Sequence, residues 1–450
     1  MNNPVSGDAS ELERWQRSTS RCFSFGQSRF DPSSGMVELE YRLDGIALTE
    51  TFRLPPAEVP EQRRAAVDAA LNLLHWVAGI SYWKAGCPSR LVFESAAPGP
   101  DQAAWLSQLY RSGLAEFAYR NGLDPDHFPD FPACGEQEPT AGDLGLARRT
   151  LVPMGGGKDS LVAWSRLERI GDRCRPVQVG EAALIRQLGQ TLSAEHLVIP
   201  RKVDPALAAL NARGAWNGHV PVTAINAAVL VLAALVLDHD RVVFANERSA
   251  DEVTLHDEQG RGVNHQFSKS LVFERMLDQW VRRWIAADLR VFSLLRRDGE
   301  LAVCREFAGL GAWHGLFSSC NRNFHLDGPR TQRWCGQCPK CHFVFLGLAP
   351  FMTPVALQAI FQADLLDDIE QLDGFAALLG LDGRKPFECV GEAGEARSAL
   401  LALTRQPAWS GHAVVQALAP RLAGLPVPSL DAACQPGGPH LIPAEWLDAA

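Results

Sequence analysis

Beyond residue 149 the chain alternates short apolar runs with helical patterns, and that alternation leaves few folds open. The runs "TLVPM", "PVQVG", "HLVIP", "RVVFANE" and "LRVFSLL" are separated by helical stretches, the clearest at 160–170, 182–191, 221–238 and 270–287. Parallel strands need a long crossover, and a helix supplies it. The pattern therefore predicts an α/β fold whose core is a doubly wound parallel sheet with helices on both faces. Ligands of such sheets sit outside the carboxyl ends of the strands.

The flanking regions read differently. Residues 1–148 carry alternating stretches such as "MVELEYRLDG" (36–45) and helical patterns near 61–83 and 101–121, which predicts an α+β domain. A connector rich in Pro, Gly and acidic residues (124–145) leads into a second unit at 149–348, and 349–450 reads as helical, most clearly in "VALQAIFQADLLDDIEQLDGFAALLGL". The longest apolar run, "VTAINAAVLVLAALVL" (222–237), is shorter than the roughly 20 residues that span a bilayer. A buried helix behind Pro221 is expected, and no membrane partner. The start, "MNNPVSGDASELERW", has no secretory pattern, so the eleven cysteines are expected to be reduced thiols in the cytoplasm. A net charge of -9 argues against nucleic acid as a partner.

"LVPMGGGKDSLVAW" (151–164) places three glycines between a strand and a helix. Gly155, Gly156 and Gly157 allow close approach of backbone N–H groups to phosphate oxygens, and Ser160 can donate from the first helical turn. Lys158 adds positive charge, and Asp159 can reach a magnesium ion bridging the phosphates. The spacing fits neither GxxxxGK[ST] nor GxGxxG. A purely structural turn with a helix cap is the bland alternative.

"RWCGQCPKCHF" spaces Cys335, Cys338 and Cys341 as C-x2-C-x2-C, with Cys320 upstream as a fourth thiolate. That set suits a tetrahedral structural zinc, with an iron–sulfur cluster or metal-free thiols as rivals. Between the two motifs, "FANERSADEVTLHDEQGRGVNHQFSKSLVFE" (244–274) follows an apolar strand with a dense polar block. Asn246, Arg248, Asn264, Gln266, Ser268 and Ser270 are candidate substrate contacts there. In "WNGHVPVTA" His219 reads more readily as a cap or packing group than as a ligand. In "FECVGEAGEARSAL" Glu392 and Glu395 read as exposed acids of a capped helix.

"PMGGGKDS" resembles the SGGxDS signature of the PP-loop ATP pyrophosphatases, with Gly155 in place of the first Ser. The resemblance implies a PP-loop (HUP-like) core, ATP as co-substrate with Mg2+, and adenylation of a substrate oxygen. A similar cysteine set holds structural zinc in relatives resembling 7-cyano-7-deazaguanine synthase. Taken together, "PMGGGKDS", "NGHVPVTAIN", "NERSA", "NHQFSKS" and "RWCGQCPKC" resemble the UDP-N-acetylmuramoyl-L-alanyl-L-glutamate epimerases of peptidoglycan synthesis over nearly the whole chain. What this implies is ATP-dependent inversion of the terminal L-glutamate of a UDP-muramoyl dipeptide through an acyl-adenylate. Proton transfer then points to His265 and Lys269, with His219 and Glu247 in reserve, and Arg248 and Lys269 become candidates to meet the substrate's phosphates. A PP-loop ligase of the deazaguanine or tRNA-modifying type and a non-catalytic nucleotide sensor are the rival readings.

Overall fold

The computed structural model describes residues 9–136, 140–324, 333–381, 383 and 386–447. Residues 1–8, part of the connector at 137–139, residues 325–332, and 382, 384–385 and 448–450 of the C-terminal stretch lie outside the described residues.

Twelve strands occur among the described residues. In chain order they are β1 (Cys22–Asp31), β2 (Met36–Leu43), β3 (Ile46–Arg53), β4 (Arg90–Phe93), β5 (Thr150–Pro153), β6 (Cys174–Val179), β7 (Leu197–Ile199), β8 (Arg201–Lys202), β9 (Arg241–Phe244), β10 (Leu255–His256), β11 (Gly262–Val263) and β12 (Arg290–Ser293). The first sheet is mixed, in the order β4-β1-β2-β3-β8. The strand pattern at 36–45 ends where expected: Asp44 and Gly45 both take positive φ, 50° and 94°, and turn β2 into β3 as a two-residue hairpin. Its edge strand β8 comes from far along the chain, pairing Thr51 with Lys202.

The second sheet is parallel throughout, in the order β12-β9-β5-β6-β7. Successive residues of a strand face opposite sides, and here each side has its own core. Leu151, Val242 and Val291 face a cluster that includes the helices Arg64–Ala78, Val222–Val236 and Leu271–Trp284 and the first sheet. Val152, Val243 and Phe292 face a cluster built with the helices Lys158–Arg169, Glu300–Ala308 and Pro339–Leu348 and the helices after 349. The α/β expectation holds, with one mixed and one parallel five-stranded sheet and a two-stranded antiparallel pair, β10-β11, among the described residues. The helix Val222–Val236 is buried almost all round. Among the described residues no helix is long and apolar enough to cross a membrane.

Numbered by their appearance within the parallel sheet, the strands run 3-2-1-4-5, so strand order reverses between β5 and β9. That switch point is where the loops leaving two neighbouring strands diverge and open a crevice. The glycine turn leaves β5 there, and Asn246–Arg248 leave β9 beside it. The amphipathic stretch after 354 is broken: a helix Pro354–Phe361 ends at Gln362, which takes a left-handed φ of 62°, and a second runs Leu372–Leu378.

Candidate active site

At the glycine turn, Gly156 takes φ 81°, a conformation that favours glycine. Gly155 is exposed, and a Cβ built on it meets no atom within 4 Å, so open space lies over the turn. Gly157 is the N-cap of the helix Lys158–Arg169 and has no side chain to cap it, which leaves first-turn N–H groups for solvent or an anion. Ser160 Oγ turns back to donate to Gly157 O at 3.0 Å.

Lys158 does not point into that space. It is 2% exposed, and its Nζ donates to Asp159 Oδ1 at 2.5 Å and to the carboxylate of Glu300. Burial works against its charge, but Asp159 and Glu300 outweigh burial and keep it an ammonium. Around it sits a surplus of carboxyls. Burial, with Glu395 and Asp159 nearby, pushes Glu247 up to about 7. Burial also lifts Glu395 to about 7, and it raises Glu300 against the pull of Lys158. We take Lys158 as charged and the buried carboxyls as only partly ionised near neutrality, because one ammonium cannot neutralise them all. Ser249 donates to Glu247 through its N–H and, at 2.7 Å, to Glu395 through its hydroxyl. Glu395 thus corrects the reading of an exposed acid: the capping box with Glu392 exists, but Glu395 is 4% exposed and serves the cluster behind the turn.

The four cysteines converge as their spacing implies. Sγ–Sγ distances are 3.7 Å (Cys335–Cys341), 3.4 Å (Cys338–Cys341) and 3.9 Å (Cys338–Cys320). Thiolates at the corners of a zinc tetrahedron with 2.3 Å bonds stand about 3.8 Å apart, whereas a disulfide closes to about 2.05 Å. The set fits one tetrahedral ion. It also braces the turn: Ser318 N donates to Gly156 O at 2.9 Å, and a Cβ on Gly157 would stand 2.6 Å from Ser319 Oγ. Both residues immediately precede Cys320.

A second cluster forms where four segments meet. From the helix Ala115–Asn121, Glu116 presents one carboxylate oxygen to His265 Nδ1 and, at 3.5 Å, to His219 Nδ1. The two imidazoles lie 4.7 Å apart, centre to centre. Lys269 Nζ donates to Cys389 Sγ at 3.2 Å. Burial opposes the charge of His265, but hydrogen bonds to Cys389 and Glu116 prevail and lift it to about 9. Burial and the neighbouring His265 hold His219 down to about 4. Burial also opposes the charge of Lys269, yet Cys389, Asp159 and Glu247 keep it firmly protonated. His265 is therefore an imidazolium at neutral pH and His219 a neutral ring.

Arg296, 1% exposed, joins the two clusters. Its guanidinium donates to Glu247 O at 2.9 Å and Lys269 O at 2.6 Å, with Glu274 as counter-charge at 2.8 Å. Nothing in the sequence around Arg296 marks it. Glu116, Glu300 and Cys389 also went unmarked, each an isolated residue without a motif. The proposed substrate contacts divide. Asn246 Nδ2 donates to Ser293 Oγ at 3.2 Å at the carboxyl edge of the sheet. Asn264 and Ser270 already serve the backbone: Asn264 donates to Ala250 O and accepts from Gln266 N, and Ser270 caps the helix Leu271–Trp284. Gln266 and Ser268 are buried, and the Arg248 guanidinium reaches the carbonyls of Arg297 and Gln435 at 3.4 Å.

Comparison with known proteins bears on both clusters. The MurL N-terminal domain model matches residues 14–294, which hold the glycine turn and the histidines, and the MurL C-terminal domain model matches 316–432, which hold the cysteines. A UDP-N-acetyl-alpha-D-muramoyl-L-alanyl-L-glutamate epimerase from Xanthomonas oryzae pv. oryzae is 45% identical over 411 residues, 90% of each chain. Proteins of the same name from Salinispora tropica and a Micromonospora species are each 40% identical, over 95% of this chain and 95% and 97% of their own. Two consecutive domain models and relatives that align almost end to end place both clusters within one shared framework, and the chain belongs to the MurL family of epimerases.

Proposed function

We propose that this chain inverts the terminal L-glutamate of UDP-MurNAc-L-Ala-L-Glu to D-glutamate, using ATP to form an acyl-adenylate and releasing AMP and pyrophosphate. The relatives' names support the substrate and the inversion. The observation that carries the ATP reading is the uncapped, open glycine turn at the strand switch point. A PP-loop type of core accounts for that turn.

Activation is needed because a free carboxylate makes the adjacent C–H very hard to ionise: the product would carry two neighbouring negative charges. An acyl-adenylate removes one and turns the carbonyl into an electron sink. In this reading Gly155–Gly157 and the first helical turn bind phosphate oxygens through backbone N–H groups. Asp159 would hold Mg2+ beside the phosphates, while burial keeps the carboxyls of Glu247 and Glu300 behind it only partly ionised. Lys158 bridges the carboxylates of Asp159 and Glu300 rather than touching phosphate. Cys320, Cys335, Cys338 and Cys341 would hold a zinc ion, which with four thiolate ligands would contribute structure rather than chemistry.

For proton transfer, His265 is the donor that the cluster favours, since Cys389 and Glu116 hold it charged and Glu116 orients its ring. Lys269 is too firmly protonated to act as a base and instead sets the local potential. His219 and Glu247, neutral or partly ionised, stay as secondary candidates. The test is direct: incubate the protein with ATP, Mg2+ and UDP-MurNAc-L-Ala-L-Glu, then measure AMP and glutamate chirality. D-glutamate formed in step with AMP is expected. D-glutamate without AMP removes the adenylate, and AMP without inversion turns the reading towards a ligase.

A further inference from the structure

Inversion needs a base as well as an acid, and so far only the secondary candidates His219 and Glu247 are available for that part. Cys389 lies in the same cluster as His265 and Lys269. Its segment is pinned from two sides: Phe387 lies 5.7 Å from the ring of Tyr119 and under the Arg120 guanidinium at 4.9 Å, and Gly391 packs so tightly that an added Cβ would strike the ring of Phe343. Between these anchors, Cys389 Sγ accepts a hydrogen bond from Lys269 Nζ at 3.2 Å and hydrogen-bonds the ring of His265. The residue as a whole is half-buried.

Other cysteines of the same protein show how unusual this setting is. Burial raises the thiols of Cys304 and Cys434. Cys87 has one ammonium nearby, Lys84, and burial still pushes it up to about 12. Cys389 is buried too, but Lys269, Lys340 and His265 all face it, and together they hold its thiol well below the ordinary range. The carboxyl facing this group is that of its neighbour Glu388, which burial lifts to about 7, so near neutrality it is only partly ionised. A thiol kept for packing has no use for three cations, whereas a reactive one needs them.

We propose that Cys389 is the catalytic base that takes the proton from Cα of the activated glutamate, its thiolate positioned by Lys269 and His265. This rests on the epimerisation reading above. In the step the Cα–H bond breaks and an S–H bond forms, while the C–H electron pair moves into the adjoining activated carbonyl as an enolate. A proton delivered to the opposite face remakes the Cα–H bond, and the Cys389 thiol returns its proton to solvent.

The experiment compares the full-length protein with Cys389→Ser in deuterated water, with ATP, Mg2+ and UDP-MurNAc-L-Ala-L-Glu, reading AMP and Cα deuterium separately. The variant should release AMP near the parent rate while Cα exchange falls at least about 100-fold. Exchange at the parent rate in the variant overturns the proposal. A parent protein that releases AMP but never exchanges refutes the epimerisation reading itself, which is a different result. Alkylation by iodoacetamide keeps the test independent of the variant's folding. In the unmodified protein, Cys389 should react at a rate that changes little from neutral pH to about 8.5, because it is already a thiolate. A rate that climbs with pH like that of a free thiol overturns the proposal as well. Lys269→Met should move the acid limb of exchange upward by about one pH unit, as loss of a neighbouring cation requires. An unmoved limb denies Lys269 its positioning role.

Discussion

The glycine turn and the cluster around Cys389 are neighbours joined by Arg296, yet they are assembled in opposite ways. Gly155 to Ser160 are consecutive, and local backbone geometry leaves the first-turn N–H groups of the proposed anion site uncapped. The second cluster draws Glu116, His219, His265, Lys269 and Cys389 from four segments, and only tertiary packing brings them together. The difference suggests a division of labour. A motif in one stretch can travel between proteins and activate many substrates, while a composite cluster is specific to one fold and one substrate.

That division can be broken by variants that separate the two half-reactions. The largest effect is expected from Asp159→Asn, which should lower AMP release and inversion together by about 10²–10³-fold through loss of a magnesium ligand beside the phosphates. If only inversion falls, the turn is not the activating site. Next comes His265→Gln, which should cut Cα exchange by about 100-fold and spare AMP release. Equal loss of both would mean that the two regions act as one. Cys338→Ser should reduce zinc from about one ion per chain to none, measured by elemental analysis, and lower thermal stability because a closed site contributes folding energy. AMP release should weaken with it, since Ser318 and Ser319 back the glycine turn from beside Cys320. Undiminished stability without metal would leave the four cysteines without that role.

The smallest effect is a matter of pH. His265 has its pKa raised to about 9, so its proton persists through neutrality and is lost only as the pH passes that value. Exchange should therefore hold steady near pH 7 and fall about tenfold per unit well above 9. His219, held down to about 4, should give no inflection near the ordinary histidine value of about 6.5. An exchange profile breaking near 6.5 would show that the Glu116–His265 contact does not set the titration.

Local signals were legible in the sequence and long-range ones were not. The parallel strands announced themselves through short apolar runs alternating with helical patterns, and the cysteines through the short turns between Cys335, Cys338 and Cys341. The glycine turn was legible for the same reason, although the direction of Lys158 was not: its partner Glu300 lies in another helix. His265, Lys269 and His219 stood out by residue type. Glu116 looked like any acid on an amphipathic helix, and Cys389 like one more unspaced cysteine. Glu395 seemed exposed because its capping pattern is a surface pattern, and only the packing of its helix behind the glycine turn buries it. Strand β8 was hidden in the same way, since two residues carry no period and their partners lie in β3.

The central claim is that activation at the turn precedes proton transfer at the composite cluster. Deuterium at Cα tests it most directly, with the substrate incubated in deuterated water with ATP, without ATP, and with an analogue that cannot be cleaved between its α- and β-phosphates. Deuterium should appear in the D-glutamate product with ATP alone. Deuterium at Cα in the absence of ATP, or with the uncleavable analogue, would contradict the account.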